Sequence, residues 1–185
     1  IATLFYLPDV IREYFGDGAD FGVQMTYAVE EDQALGTAGC VKNIAELLTH
    51  TFLAISGDSM TDFDLSAAIA FHHQKKSKAT LVLTRVPNPT EFGVVITDPQ
   101  GRICRFLEKP SNSEIFSDTV NTGIYILEPE ILDSLCSNEF ADFSNDLFPR
   151  LLAQGEPIYG YIAEGYWCDI GSLDAYREAQ YDALQ

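Results

Sequence analysis

The first half of the chain alternates between short apolar runs of strand length and longer segments with helical patterning, and this alternation restricts the fold more than any other feature. An apolar run from Ile1 to Leu7 leads through Pro8 and Asp9 into a helical stretch, and Phe21 to Val29 reads as a strand. A helix from Gly36 to Leu48, a strand from Phe52 to Ser56, a helix from Leu65 to Lys75 and a strand from Thr80 to Val86 continue the pattern. Repeated strand-helix units place helices over a sheet, so the expected class is α/β, with a Rossmann-like, mostly parallel sheet covered by helices. In open sheets of this kind ligands bind beyond the carboxyl ends of the strands. Asp58 falls at such an end.

After Val86 the pattern changes. Gly93 to Thr97 and Arg102 to Glu108 flank Asp98-Pro99-Gln100-Gly101, a turn sequence that predicts an antiparallel insertion. A strand from Val120 to Leu127, helices near Pro129 to Cys136 and Asn145 to Ala153, and strands from Ile158 to Ile162 and through Trp167 are expected next. Ser172 suits the cap of a closing helix and Asp174 its first turn, which places Asp169 on the turn just before that helix. No linker or low-complexity stretch interrupts the 185 residues, so a single domain over 1–185 is expected.

Acidic residues outnumber basic ones by 28 to 11, and the net charge of −17 repels a phosphate backbone, which argues against a nucleic-acid partner. Any site for a phosphorylated ligand must be made locally, from a few cations, a bound metal and backbone amides. No apolar run approaches the roughly 20 residues that span a bilayer, and no basic segment leads into a signal-type stretch. The expectation is a cytoplasmic protein without a membrane partner. Cys40, Cys104, Cys136 and Cys168 form no Cys-x-x-Cys pair, so reduced and mostly buried thiols are expected rather than a zinc site or a disulfide scaffold. His72 and His73, followed by Lys75 and Lys76, read as a solvated helix face rather than metal ligands.

Four short motifs stand in order along the chain: Leu35-Gly36-Thr37-Ala38-Gly39, Gly57-Asp58, Glu108-Lys109-Pro110 and Trp167-Cys168-Asp169-Ile170-Gly171. A glycine-flanked loop at a helix start lets a flat base approach the backbone and exposes amide donors. A carboxylate after a strand-end glycine can hold Mg²⁺, and two such carboxylates, Asp58 and Asp169, can share one ion. Glu108 can accept hydrogen bonds from sugar hydroxyls while Lys109 meets a phosphate. Each has an ordinary structural alternative: a glycine-containing helix start, a strand-end acid capping a turn, an exposed ion pair. No nucleophile-base triad is visible.

Taken in order, the motifs resemble the active site of sugar-phosphate nucleotidyltransferases, such as mannose-1-phosphate guanylyltransferases and glucose-1-phosphate nucleotidyltransferases. Thr26 to Gly39 is the most family-specific stretch. The resemblance implies the nucleotide-diphospho-sugar transferase fold and catalytic roles for Asp58, Lys109 and Asp169, with Mg²⁺ on Asp58 and Asp169. It implies nucleotide contacts from Leu35, Gly36, Thr37, Ala38, Gly39 and Gly57, and sugar contacts from Gly93, Glu108, Asn121 and Thr122. Trp167, the only tryptophan, is assigned to packing near the site. The implied reaction joins a nucleoside triphosphate and a hexose 1-phosphate into an NDP-sugar and pyrophosphate. The attacking sugar phosphate is already anionic and requires no base.

Glu164-Gly165-Tyr166-Trp167 and Asp142 to Leu152 are most similar to mannose-1-phosphate guanylyltransferase, which makes GTP and mannose 1-phosphate the expected pair. The family's glycine-rich phosphate loop, running into an Arg-Leu pair, has no counterpart before Leu35, and the chain starts without methionine inside a strand pattern. An N-terminally truncated fragment is therefore expected. Loss of one preorganised charge-stabilising group costs about 10² to 10³ in rate, so the fragment alone is expected to be nearly inactive. The alternative is a non-catalytic sugar-nucleotide-binding or regulatory subunit on the same fold. Assembly into a homo-oligomer is compatible with either.

Overall fold

Strands β1 (Ala2–Leu4) and β2 (Tyr27–Val29) pair in parallel, with Ala2 opposite Tyr27 and Leu4 opposite Val29. The computed structural model describes residues 1–108 and 117–184. These fall into two compact units, one of Ile1–Thr49 with Leu132–Leu147 and one of His50–Ile131 with Phe148–Gln185. In the first unit α1 (Pro8–Phe15) begins with proline, whose missing N–H costs nothing there, and stops at Gly16, at φ 55°. The strand expected from Phe21 is confined to Tyr27–Val29, because Gly18 and Gly22 adopt left-handed conformations and fold Ala19–Phe21 into a 3-10 turn. Helix α2 (Gly36–Asn43) is followed by a 3-10 turn at Ala45–Leu47, shorter than the helix expected to Leu48. Leu4, Leu35, Ala38, Leu132, Ala141, Phe143 and Leu147 are buried.

The second unit contains β3 (Phe52–Ile55), β4 (Ser59–Thr61), α3 (Leu65–Lys75), β5 (Ala79–Arg85), β6 (Val94–Thr97), β7 (Ile103–Leu107) and β8 (Thr119–Leu127). It closes with α4 (Phe148–Ala153), β9 (Ile158–Ile162), β10 (Trp167–Asp169) and α5 (Leu173–Asp182). A six-stranded sheet has the order β7-β6-β8-β5-β9, with β3 also on β8. One edge of β8 is shared: Val120 pairs with Val94 of β6, while Ile124 to Leu127 pair with Ile55 to Phe52 of β3.

The α/β class is the one expected, and β3, β5, β6 and β9 run in one direction. Adjacency differs from the expectation, because β8 runs against β3, β5 and β6 and leaves β5–β9 as the parallel pairing among the described strands of this sheet. Strand-helix alternation fixes the direction of successive strands, not which of them become neighbours. The antiparallel insertion expected from Asp98-Pro99-Gln100-Gly101 is the β6–β7 hairpin.

Phe63, Ala68, Val82, Ile124, Ile126 and Ala163 form a buried cluster with Leu53, Leu65, Tyr161 and Trp167 packed against it. Side chains such as Ile124 and Ile126, essentially removed from water, each contribute about 1.5–3 kcal/mol. Asp64 caps α3 by accepting the Ala67 amide at 3.1 Å, and Ser172 caps α5 by accepting that of Ala175 at 3.1 Å. The helix expected near Pro129 is a 3-10 segment, Pro129–Ser134, and that expected from Asn145 starts as a π turn, Phe143–Leu147, before α4.

His72 departs from the solvated face predicted for it. It is 1 % exposed, with Nδ1 2.8 Å from Thr80 Oγ1 and Nε2 3.0 Å from Glu128 Oε1. Consecutive helix residues point about 100° apart, so His73 reaches the surface while His72 turns onto the sheet. The cysteines are free as expected but not mostly buried: Cys104, on edge strand β7, and Cys136 are exposed, and Cys40 and Cys168 are half-buried. Among the described residues no helix is long and apolar enough to cross a membrane.

Candidate active site

Strand β3 ends at Ile55, and a turn through Gly57 and Asp58 leads into β4. Strand β4 pairs antiparallel with β10, Ser59 opposite Asp169 and Thr61 opposite Trp167, and the Ile170 amide donates to the Asp58 carbonyl at 2.9 Å. The two acidic motifs, far apart in sequence, thus become neighbouring rungs of one ribbon. Asp58 is exposed and Asp169 half-buried. A β-carbon on Gly57 would project into open space, whereas one on Gly171 would lie 3.3 Å from Asp169 Oδ2. An exposed carboxylate with open space beside it, as at Asp58, is a donor Mg²⁺ takes when phosphate and water complete its shell.

The ribbon is braced from below. The Asp62 carboxylate accepts the Tyr166 amide at 2.6 Å, and the Thr61 hydroxyl donates to the Tyr166 carbonyl at 2.9 Å. Asp64 caps α3, while Asp62 holds the segment leading into β10.

The predicted sugar contacts gather in the same unit. The Asn121 amide donates to the Gly93 carbonyl at 2.8 Å, and a β-carbon on Gly93 would lie 2.8 Å from Glu108 Oε2 and 2.9 Å from Phe106 Cζ. Gly93 is thus what lets the Glu108 carboxylate lie over the backbone. The Asn121 side chain donates to the Tyr125 hydroxyl at 2.8 Å and accepts the Gly123 amide at 3.2 Å, so its orientation is set on both sides. Tyr125 has no signal in the local motif, and only the pairing geometry of β8 reveals its part.

Thr122 is 2 % exposed and its hydroxyl donates to the Val82 carbonyl at 2.7 Å. Its own carbonyl accepts the Trp167 indole N–H at 3.1 Å. Trp167 also stands edge-on to Phe92, with ring centroids 5.3 Å apart, and so performs the packing role predicted for it. Gly123, at φ 76°, brings its Cα close to the Ser56 side chain, and the Ser56 amide donates to the Gly123 carbonyl at 3.0 Å. Lys109 and Pro110 lie outside the described residues.

Leu35 to Gly39 belong to the other unit. The Leu35 amide donates to Glu30 Oε2 at 2.6 Å, and the amides of Ala38 and Gly39 both donate to the Ala141 carbonyl, at 2.9 and 3.0 Å. Gly36, at φ 74°, and Gly39 admit the 139–141 backbone so closely that a β-carbon on either would lie 2.6 Å from a carbonyl oxygen. Thr37 donates to Asp142 Oδ2 at 2.8 Å. The sequence predicted exposed amide donors here, yet three of these five are engaged within the unit, and both glycines serve close packing. Leu35 also walls a cavity of about 290 Å³ with Val29, Glu30, Asp32, Asn43 and Asn138.

Residues 1–185 match the family model described as nucleotidyl transferase. The chain belongs to the nucleotidyl transferase family. It is 39% identical over 187 residues to a UTP–glucose-1-phosphate uridylyltransferase of Synechocystis sp., covering 94% of this chain and 48% of that protein. It is 35% identical over 182 residues to a mannose-1-phosphate guanylyltransferase of Mycobacterium tuberculosis, covering 97% of this chain and 50% of that protein. This nucleotidyl transferase chain thus spans about half the length of the curated relatives it matches. The solved structure of HddC from Yersinia pseudotuberculosis superposes with a TM-score of 0.82 at 21% identity, covering 98% of this chain and 76% of that one, a likeness of fold alone.

Proposed function

We propose that this nucleotidyl transferase chain serves the transfer of a nucleotidyl group from a nucleoside triphosphate to a hexose 1-phosphate, giving an NDP-sugar and pyrophosphate. The observation that carries this reading is the β4–β10 ribbon, which sets Asp58 beside the strand bearing Asp169 and is tied by Trp167 to the Asn121-Thr122 segment. Asp58 and Asp169 would hold Mg²⁺, which supplies neutralisation of charge at the reacting phosphoryl group. Glu108 and Asn121 orient sugar hydroxyls, Lys109 meets the sugar phosphate and Gly57 contacts the nucleotide; Leu35 to Gly39, in the other unit, are proposed as nucleotide contacts on the family resemblance. The attacking phosphate oxygen is anionic at neutral pH, so no residue is assigned as a general base.

GTP with mannose 1-phosphate is the pair we propose, on the likeness at Asp142 to Leu152 and Glu164 to Trp167 and on the mycobacterial relative. UTP with glucose 1-phosphate is the second reading, favoured by the higher identity to the cyanobacterial relative. The test is calorimetric binding of GDP-mannose and UDP-glucose, with and without Mg²⁺, beside pyrophosphate release from each substrate pair. Mg²⁺-dependent binding that is lost in Asp58→Asn and in Asp169→Asn is the expected result. Sugar-nucleotide binding indifferent to Mg²⁺ and to both substitutions would instead support the non-catalytic binding subunit.

A further inference from the structure

We propose that His72, His73 and Glu128 form a second cation site, for a borderline divalent transition ion of the Zn²⁺ type, at the end of β8 opposite the sugar-contact residues. One ligand atom from each of the three lies within 4.8 Å of the others. In a tetrahedral zinc site, bonds of about 2.0–2.1 Å place neighbouring N and O ligands roughly 3.4 Å apart. His72 Nε2 and Glu128 Oε1, 3.0 Å apart, already stand near that spacing. A ring nitrogen of His73 lies within 4.8 Å of the His72 and Glu128 ligand atoms, and the surface position of His73 leaves its side chain room to approach them.

The supporting contacts match those of a built metal site. Thr80 Oγ1 is 2.8 Å from His72 Nδ1, so a ring bound through Nε2 carries its proton on Nδ1 and donates it to that hydroxyl. The Thr51 hydroxyl donates to Glu128 Oε1 at 2.7 Å and fixes the carboxylate. The Glu128 side chain is 26% exposed and His73 lies at the surface, so an ion can enter from solvent and water can complete the shell. Two imidazoles and one carboxylate favour Zn²⁺, Co²⁺ or Ni²⁺ over Mg²⁺, which takes oxygen ligands.

The site is separate from the carboxylate ribbon. Thr51 precedes β3 and Asp58 follows it, while Asn121 and Glu128 stand towards opposite ends of β8, on the order of 20 Å apart at 3.4 Å per residue. An ion here would tie α3 to the sheet, a structural task distinct from nucleotidyl transfer.

The deciding experiment titrates the whole chain with Zn²⁺ by calorimetry in excess Mg²⁺, and with Co²⁺ by visible absorption. We expect one equivalent bound, with an affinity unchanged by Asp58→Asn and Asp169→Asn and weakened about tenfold or more by His73→Ala and by Glu128→Gln. Wild-type Tm rises by roughly 5–10 °C when Zn²⁺ is a hundredfold above its Kd. His73 is exposed, so His73→Ala keeps the metal-free Tm and remains informative even if His72→Ala fails to fold. Absence of Zn²⁺ binding by the wild type, or binding that neither His73→Ala nor Glu128→Gln weakens, overturns the proposal.

Discussion

Trp167 donates its indole N–H to the carbonyl oxygen of Thr122 across 3.1 Å, joining the strand that ends in Asp169 to the strand that carries Asn121. Trp167→Phe keeps a ring against Phe92 but removes the indole donor from that carbonyl, which the Ser59 hydroxyl approaches only at 3.4 Å. A loss of about 1–2 kcal/mol is expected, read as a lower urea midpoint with an unchanged m-value. Affinity for the sugar nucleotide should fall with it, since that bond ties the strand ending in Asp169 to the strand carrying Asn121.

Thr122 separates a structural from a ligand role. Its hydroxyl is buried and given to the Val82 carbonyl at 2.7 Å, so Thr122→Val should cost about 1–2 kcal/mol while sugar-nucleotide affinity stays near wild type. Unchanged stability with a large loss of affinity would restore Thr122 as a sugar contact.

At Gly93 both quantities should move. A β-carbon there would meet the flexible carboxylate end of Glu108 at 2.8 Å and also the Phe106 ring at 2.9 Å, so Gly93→Ala should cost about 1–3 kcal/mol in stability. Displacing that carboxylate should weaken sugar-nucleotide binding roughly tenfold, the worth of one good hydrogen bond to a charged group. Equilibrium unfolding and calorimetry on the same variant check both halves.

Gly39→Ala tests the close approach in the other unit. The new β-carbon would lie 2.6 Å from the Glu139 carbonyl and 3.2 Å from the Ala141 amide, backbone atoms that cannot turn away. A cost of about 1–3 kcal/mol is expected. Hydrogen exchange should locate it, with the amides of Ala38 and Ala141 exchanging faster than in the parent chain.

Burial pushes the Cys40 thiol above its ordinary pKa, and the nearby Glu30 carboxylate adds to the shift against the hydrogen bond from Thr3. A raised pKa means a smaller thiolate fraction at any given pH below it, and the thiolate is the reactive form. At pH 8 iodoacetamide should therefore label exposed Cys104 and Cys136 first and Cys40 last, as mass spectrometry of timed digests would show. Labelling of Cys40 should quicken about tenfold per pH unit on the alkaline side until the thiol titrates.

Features set by neighbours in the chain were determined by the sequence alone. Ser172 caps the helix expected of it, Leu65–Lys75 is helical over the predicted range, and Asp98 to Gly101 turn the predicted hairpin. The order of the four motifs likewise identified the family that the whole-chain match shows. Tertiary structure alone decided that β8 runs antiparallel between β5 and the strands β3 and β6, that Thr122 points its hydroxyl at Val82, and that His72 turns inward to Thr80 and Glu128. The physical reason is common to all three. Capping and turning satisfy backbone groups within a few residues, and the local sequence shows them. Strand adjacency and the partner of a buried polar group depend on surfaces brought together from distant segments, where the requirement to satisfy hydrogen bonds away from water selects one arrangement that no local pattern encodes.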